Sequence, residues 1–458
     1  MRHPVARDEA RDEARGANMS APPAAYRTSV LDSQRALAGS PAAWVNELRR
    51  AALEQAHVLS LPTRQDEDWR FTDLSALYRL AFKPAGAPAT LVAQAIDPYR
   101  IAEAPQRLVF IDGVYAPELS EVPPGEGLTV CSLAQVIAEP SHRLHESVRA
   151  HLGTLAPASG GAFAAINTAY LHHGAVLHVA RNQAQLTPSH LLFITTREGL
   201  ASYPRVLVIA EDGSQCHLVE DHVSLHQGAA CVNAVTEVHI EANAQVRHAR
   251  IQRDSRSSFH IARCAVSVAR DARFESVSID LGARLSRLDL SVRQEAPGVH
   301  IALDGLALVG NGQLADTHSF IDHAAAHGTS QQLHKTILSG ASHAVFNGRI
   351  LVRPGAQQTD SAQQSRNLLT SGRARVDAKP QLEINADDVK CAHGATVGQI
   401  DQGELFYLLS RGIAPEAARN LLTYGFAADI INRLGVASLA QRLRQQVLEQ
   451  TDRVGSPS

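Results

Sequence analysis

The feature that most restricts the fold is a long tract, from about residue 160 to residue 399, in which short apolar-polar alternations keep returning. Residues 206–209, 238–240, 274–279, 288–292 and 346–352 are examples. Most such runs are roughly four to eight residues long and recur about every 8–12 residues, which is the pattern of an all-β region. A sandwich or barrel of this length would need an unusually large number of strands. Stacked coils of a β-solenoid extend without limit, because each coil buries its inner face on the next. A solenoid is therefore the expected core, although no clean sequence period accompanies the strands, as it does in the more regular repeat families.

Helical patterns flank the tract. Ser40-Pro41 reads as an N-cap followed by proline at the first helical position, with Trp44, Leu48 and Ala52 at i, i+4 and i+8. Glu67-Asp68-Trp69-Arg70-Phe71-Thr72 concentrates charge and aromatics ahead of a short helical stretch around Leu74 and Leu77, and reads as a capped helix start with an anchoring tryptophan. Past residue 400, Leu405, Leu408 and Leu409 share a helix side, and Gly412 stands where a left-handed cap is wanted. Pro415 then opens a second helix with Leu422, Phe426, Ile430 and Leu434 at i+4 spacing, and a third after Ser438 carries Leu439, Leu443 and Val447. These stripes are expected to pack mainly on one another.

The expected organisation is a disordered N-terminal extension over 1–25, a helical and mixed domain over 26–155, a β-helix core over 156–399 and a helical domain over 400–458. The extension repeats a short mixed-charge unit from Arg7 to Arg15, with nothing to bury. Met19 offers an alternative start, which intact-mass measurement would settle.

With 45% hydrophobic residues the chain can bury a substantial core, and 43 Lys+Arg against 46 Asp+Glu leave a net charge of −3. That balance argues against nucleic acid or a membrane surface as partner. No apolar run approaches the ~18 residues of a membrane span, and the first residues lack the apolar stretch of a secretory signal. The five cysteines are scattered with no C-x-x-C pair, so neither a disulfide framework nor a zinc finger is indicated. A soluble cytoplasmic protein is expected.

The sequence contains no G-x-x-x-x-G-K-[ST] phosphate loop, no G-x-G-x-x-G at a helix start and no G-x-S-x-G elbow. Positive chemistry is best carried by Asp387-Asp388-Val389-Lys390-Cys391-Ala392-His393-Gly394. On a strand, Cys391 and His393 project to one face, with Asp387 at the same parity. A thiolate and an imidazole suit iron or zinc, but two ligands do not close a site. His318, Asp322, His323, His327 and His334 crowd one region without a metal-motif spacing, and on strands and turns they would scatter over different faces. His172-His173-Gly174 reads as a turn.

Several ordered segments carry a resemblance: Phe346-Asn347-Gly348-Arg349-Ile350-Leu351-Val352, the stretches 356–364 and 367–369, Pro380-Gln381-Leu382-Glu383-Ile384, residues 387–398, and Phe406-Tyr407-Leu408-Leu409-Ser410-Arg411-Gly412. Together they resemble the SufB/SufD family of iron–sulfur cluster assembly proteins over about residues 300–435, with fainter likeness at 67–72 and at Asn167. His393-Gly394-Ala395-Thr396 is similar to the SufD branch. The stretch 370–378, which holds a cysteine in SufB-type chains, has none here, so the principal sulfur-accepting role does not transfer.

The resemblance implies a mainly β fold: a right-handed parallel β-helix core with α-helical N- and C-terminal parts. It implies a complex with a SufB-like scaffold subunit and a pair of SufC-like ABC-type ATPase subunits, docked through Leu405, Phe406, Leu409, Leu422, Phe426 and Ile430, and it admits a homodimer when the chain is alone. No reaction is completed by this chain itself. No cofactor is tightly bound; ATP sits on the partner, and iron or an iron–sulfur cluster passes transiently. His393 would lie at the scaffold interface where iron arrives or the cluster forms, with Cys391 its neighbour and Asp387 a weaker candidate. Whether iron, sulfide or a reduced flavin contacts this subunit stays open at this point. Two other readings stand beside this one, a purely structural brace of the complex and a β-helix polysaccharide lyase or hydrolase.

Overall fold

The computed structural model describes residues 25–123, 127–310 and 312–455, with side chains through residue 449. Met19 and all of the expected N-terminal extension except Ala25 lie outside the described residues.

From Arg205 onward, strands that follow one another in sequence lie in opposite sheets. One sheet runs from Arg375–Ile384 back through His343–Val352, Leu314–His323, Leu285–Gln294, Phe259–Val268, Cys231–Ile240 and Arg205–Ala210 to Ala175–Val179. The other runs from Lys390–Gly398 through Asp360–Leu369, Thr329–Leu338, His300–Val309, Arg273–Asp280, Gln245–Arg253 and Gln215–Ser224 to Ala184–Thr195. All these pairings are parallel, and the result is a solenoid of about eight turns. At the N-terminal end, Leu128–Ser132 pairs antiparallel with Ala175–Val179, and Gln106–Ile111 adds in parallel to Ala184–Thr195.

The registers explain the missing sequence period. A turn takes 26 residues between Phe259 and Leu285 but 32 between His343 and Arg375. Regularity lies in one corner of the coil, where Asn182, Gly213, Asn243, Asp271, Gly298, His327 and Gln358 all adopt left-handed φ values between 57° and 77°. The N–H of each donates to a carbonyl one coil further on, those of Asp212, Ala242, Arg270, Pro297, Ala326, Gln357 and Asp388. Gly, Asn and Asp tolerate this conformation.

An apolar cluster runs through the interior from Leu108 to Ile321, beside buried polar pairs such as Glu220–His248 and Arg250–Asp280. The outer face of the second sheet presents Ile251, Ile279 and Leu306, and the helices Pro415–Asn432 and Ala437–Gly455 cover it with Ile430, Ile431, Leu434, Leu439 and Leu443. The C-terminal stripes pack on one another as expected and, in addition, on the solenoid, because its outer sheet face offers an apolar surface that a free helical unit would lack. Gly412 does cap the helix Gln402–Ser410 with φ 81°, and Pro415 opens the next helix. Ser438 lies inside the first turn of the last helix and binds Glu103.

Upstream, the helix begins at Ala43, two residues past Pro41. Ser40 caps nothing at its start; its N–H and C=O instead pair with the Asn46 amide, folding residues 40–42 into a turn. The 67–72 segment forms a strap on the outer face of the first sheet. The Arg287 guanidinium lies 4.2 Å from the Trp69 ring centroid and donates to the Asp68 carbonyl, while Thr72 Oγ1 donates to Asp316 Oδ2 at 2.5 Å. Asn167 is likewise structural: it donates to the carbonyls of Pro204 and Asn233 and accepts from Arg205, whose guanidinium is fully buried beside Glu237.

Candidate functional site

The strand Lys390–Gly398 is the last of its sheet, pairing only with Asp360–Leu369. In that register Cys391 lies beside Ser361 and His393 beside Gln363. Following the registers upstream, Cys391 ends the column Cys216, Val246, Phe274, Ile301, Ser330, Ser361, and His393 ends the column Leu218, His248, Ser276, Leu303, Gln332, Gln363. These columns line the solenoid interior, since Phe274, Ile301, Ser330, Gln332, Ser361 and Gln363 are all buried. Cys391 and His393 thus sit on the inner face of the last coil. Among the described residues no further coil covers them, and Cys391 is half-buried and His393 exposed.

Burial pushes the Cys391 thiol above its ordinary pKa, and the Asp360 carboxylate adds to the shift. The thiol is consequently held protonated, and ligating a metal would release its proton. Asp387 does not join the pair. It lies in the turn before the strand and is exposed, so the alternation expected from sequence does not reach it. Among the described residues, no group of three or more His, Cys, Asp or Glu side chains is arranged to hold a metal. Cys391 and His393 are a two-donor set, short of a closed tetrahedral site.

The histidine-rich region scatters as expected. His323 and His334 are interior, His318 pairs with Asp316 on the outer face, Asp322 binds Arg353, and His327 occupies the left-handed corner. Burial pushes the thiols of Cys216 and Cys231 up to about 12 and that of Cys131 to about 11, and Cys264 is raised too, which leaves all four as inert small hydrophobes. Of the residues expected to dock an ATPase, Leu405 and Ile430 are buried in this chain, Leu409, Leu422 and Phe426 are half-buried, and Phe406 is 71% exposed. Tyr407 and Leu421 extend that exposed apolar surface. A cleft of about 880 Å³ under the strap holds the ion pairs Arg287–Asp289 and Arg349–Glu383.

Sequence reasoning missed Ser330, Gln332, Ser361 and Gln363. Polar residues on an alternating strand are read as outward-facing by default, and only the scarcity of apolar residues in 357–364, where Ala362 stands alone, hints otherwise.

Fold and site define a class of protein: a parallel β-solenoid scaffold with helical ends and an open last coil bearing a soft sulfur donor and an imidazole. The comparisons make this specific. The family model for the SUF system FeS cluster assembly SufBD core domain matches residues 193–426, and that for the SufBD protein N-terminal region matches residues 24–188. An iron–sulfur cluster assembly SufBD family protein of Synechocystis is 36% identical, covering 91% of this chain and 94% of that protein. The iron–sulfur cluster assembly protein SufD of Escherichia coli is 33% identical over 86% of this chain and 90% of its own length, and SufD of Bacillus subtilis 26% identical over 88% and 92%. The chain belongs to the SufBD family of iron–sulfur cluster assembly proteins and is SufD-like. Among the described residues, no helix is long and apolar enough to cross a membrane.

Proposed function

We propose that this chain is the SufD-like subunit of a cytoplasmic SUF-type scaffold complex, working beside a SufB-like subunit and driven by a SufC-like ATPase pair, and completing no reaction alone. The observation that carries the reading is the open terminal strand, which presents Cys391 and His393 on an inner face that the described residues leave uncovered. A partner coil stacked there would bring further ligands to the pair, and iron, the cargo, would be held by donors that also release it. The exposed surface of Phe406, Tyr407 and Leu421 is the part of the C-terminal helices available to the ATPase. ATP hydrolysis there would move the helices, which are packed on the second sheet, and shift the two solenoids against each other. The missing phosphate loop fits a nucleotide held by the partner.

The test is anaerobic reconstitution of the purified complex, with iron and sulfide measured per complex. His393→Ala is expected to leave the subunits associated while lowering cluster yield about tenfold or more. Loss of association, or an unchanged yield, would remove His393 from the cluster-forming interface.

A further inference from the structure

On the outer face of the second sheet, one column beneath the C-terminal helices reads Ile251, Ile279, Leu306, Lys335, Arg366, Thr396. Its first three members belong to the apolar surface on which Ile430, Ile431 and Leu434 sit. Its last three are polar, so in this column the apolar seat ends at Leu306 and Lys335 marks the boundary. The Lys335 side chain is 7% exposed. Its Nζ donates to the Phe426 carbonyl at 3.1 Å, lies 3.0 Å from Asp429 Oδ2, and stands 4.9 Å from the Phe426 ring centroid. One helical turn beyond Asp429, Arg433 pairs with Asp304 at 2.7 Å. The C-terminal half of the helix Pro415–Asn432 is thus held on the solenoid by apolar contacts and by two ion pairs.

The N-terminal half of the same helix stands over a gap. A cleft of about 450 Å³ separates it from the last two coils, with Arg366 and Thr396 on the solenoid side and Leu421, Leu422 and Gly425 on the helix side. Gly425 divides the two halves. Glycine destabilises a helix interior more than any residue except proline, and its usual uses are a positive φ or a close approach of other atoms. Neither applies here. Gly425 is helical with a negative φ, it is exposed, and a Cβ built on it would meet no atom within 4 Å. No contact within the chain offsets its cost, and what it supplies at this position is freedom to bend.

We propose that Gly425 is a hinge: residues 426–432 stay pinned to the solenoid by Lys335, while residues 415–424, carrying the helix Gln402–Ser410 with them, close over the cleft onto the terminal strand. Thr396, on the far wall of the cleft, belongs to the strand that bears Cys391 and His393, so closure presses on the strand where the two donors sit. The exposed Phe406, Tyr407 and Leu421 all lie on the moving side. Hinges commonly fall at small residues remote from the chemistry they serve. The hinge deepens the reading of that exposed surface as the ATPase contact, and rests on it, by giving the joint through which the ATPase's movement reaches the open end.

Gly425→Ala is the test, because the added methyl meets no neighbour and the fold is kept. Amide hydrogen exchange is followed first in the full chain alone. In the wild type, residues 419–424 are expected to exchange at least about threefold faster than residues 428–432, and in the variant the two rates are expected to converge with 428–432 unmoved. Equal exchange on both sides of Gly425 in the wild type, or a slowing spread evenly along the helix of the variant, overturns the hinge. The complex is then reconstituted with its scaffold and ATPase partners, and cluster yield is measured per ATP hydrolysed. The variant is expected to associate normally, to unfold at an equal or higher urea concentration, and to lose about threefold or more of that yield. Lost association with the ATPase would show that the glycine instead admits a partner's backbone, and an unchanged yield would show that the movement passes elsewhere. Either result overturns the proposal. If wild-type cluster formation is indifferent to ATP, the ATPase-driven reading falls, while the exchange contrast across Gly425 still upholds the hinge.

Discussion

The N-terminal and C-terminal ends of the solenoid fill the interior column that ends in Cys391 differently. At the N-terminal end, Gln106–Ile111 and Leu128–Ser132 extend the two sheets, and the cysteine-side column reads Cys216, Val246, Phe274, Ile301, within one continuous apolar cluster. At the C-terminal end the same column reads Ser330, Ser361, Cys391, the cluster has stopped at Ile321, and the final strand has no neighbour beyond it. An uncovered edge is a liability unless something else covers it. The contrast teaches that this column is filled with apolar side chains in the first coils and with hydrogen-bonded hydroxyls in the last ones, beneath the open face that carries Cys391 and His393.

The largest expected effect tests the apolar half of that contrast. Phe274 is fully buried in the apolar cluster, and Phe274→Ala is expected to cost about 3–5 kcal/mol through lost burial and a residual cavity. Ser361→Ala, at the same column three coils on, is expected to cost about 1 kcal/mol or less, the net worth of one hydrogen bond. Urea midpoints of the two variants measure the difference. Equal losses would mean that the polar coils carry as much stability as the apolar ones.

An intermediate effect comes from histidines buried as neutral rings. Burial lowers His334 to about 4, and burial together with Arg250 lowers His260 to about 4. Between the unfolded value near 6.5 and about 4, the unfolded chain binds protons that the folded chain refuses, so stability is full above that window and falls as pH drops through it. Each such group contributes at most about 3 kcal/mol of acid sensitivity. His334, the more C-terminal of the two, has burial as its only cause, so His334→Leu is expected to flatten the stability profile across the window. Superimposable wild-type and variant profiles, from chemical denaturation at a series of pH values, would refute this.

Much of this contrast was legible in the sequence. The recurrence of short alternations implied stacked coils, and the parity of Cys391 and His393 placed them on one face. The turn length was not legible, because it ranges from 26 to 32 residues and its marker changes identity along the chain. Asn182, Gly213, Asn243, Asp271 and Gly298 are recognisable left-handed formers, but His327 and Gln358 occupy the same corner at the C-terminal end. Asp387 misled because parity holds only within a strand and the chain turns before Lys390. Gln363 was hidden for a different reason. Its inward aim depends on Gly348, which is fifteen residues away and on the other sheet, and no local pattern encodes a space made by a distant glycine.

The smallest expected change in stability is the most informative about why the last coils are polar. Replacing Gln332 and Gln363 together by leucine would continue the Leu303 column to the open end with side chains of similar size. A single replacement strands a buried amide and costs about 1–3 kcal/mol, but removing both partners is close to neutral, within about 1 kcal/mol in either direction. The Gly348 carbonyl is the one acceptor that loses its donor. If the polar coils serve the open end rather than stability, the double variant keeps its melting temperature and its partners while cluster yield in the reconstituted complex falls. A fall in stability comparable to that of Phe274→Ala would show instead that the amide ladder holds the coils together. The two halves of the contrast would then collapse into one, with stability and the open end served by the same groups throughout.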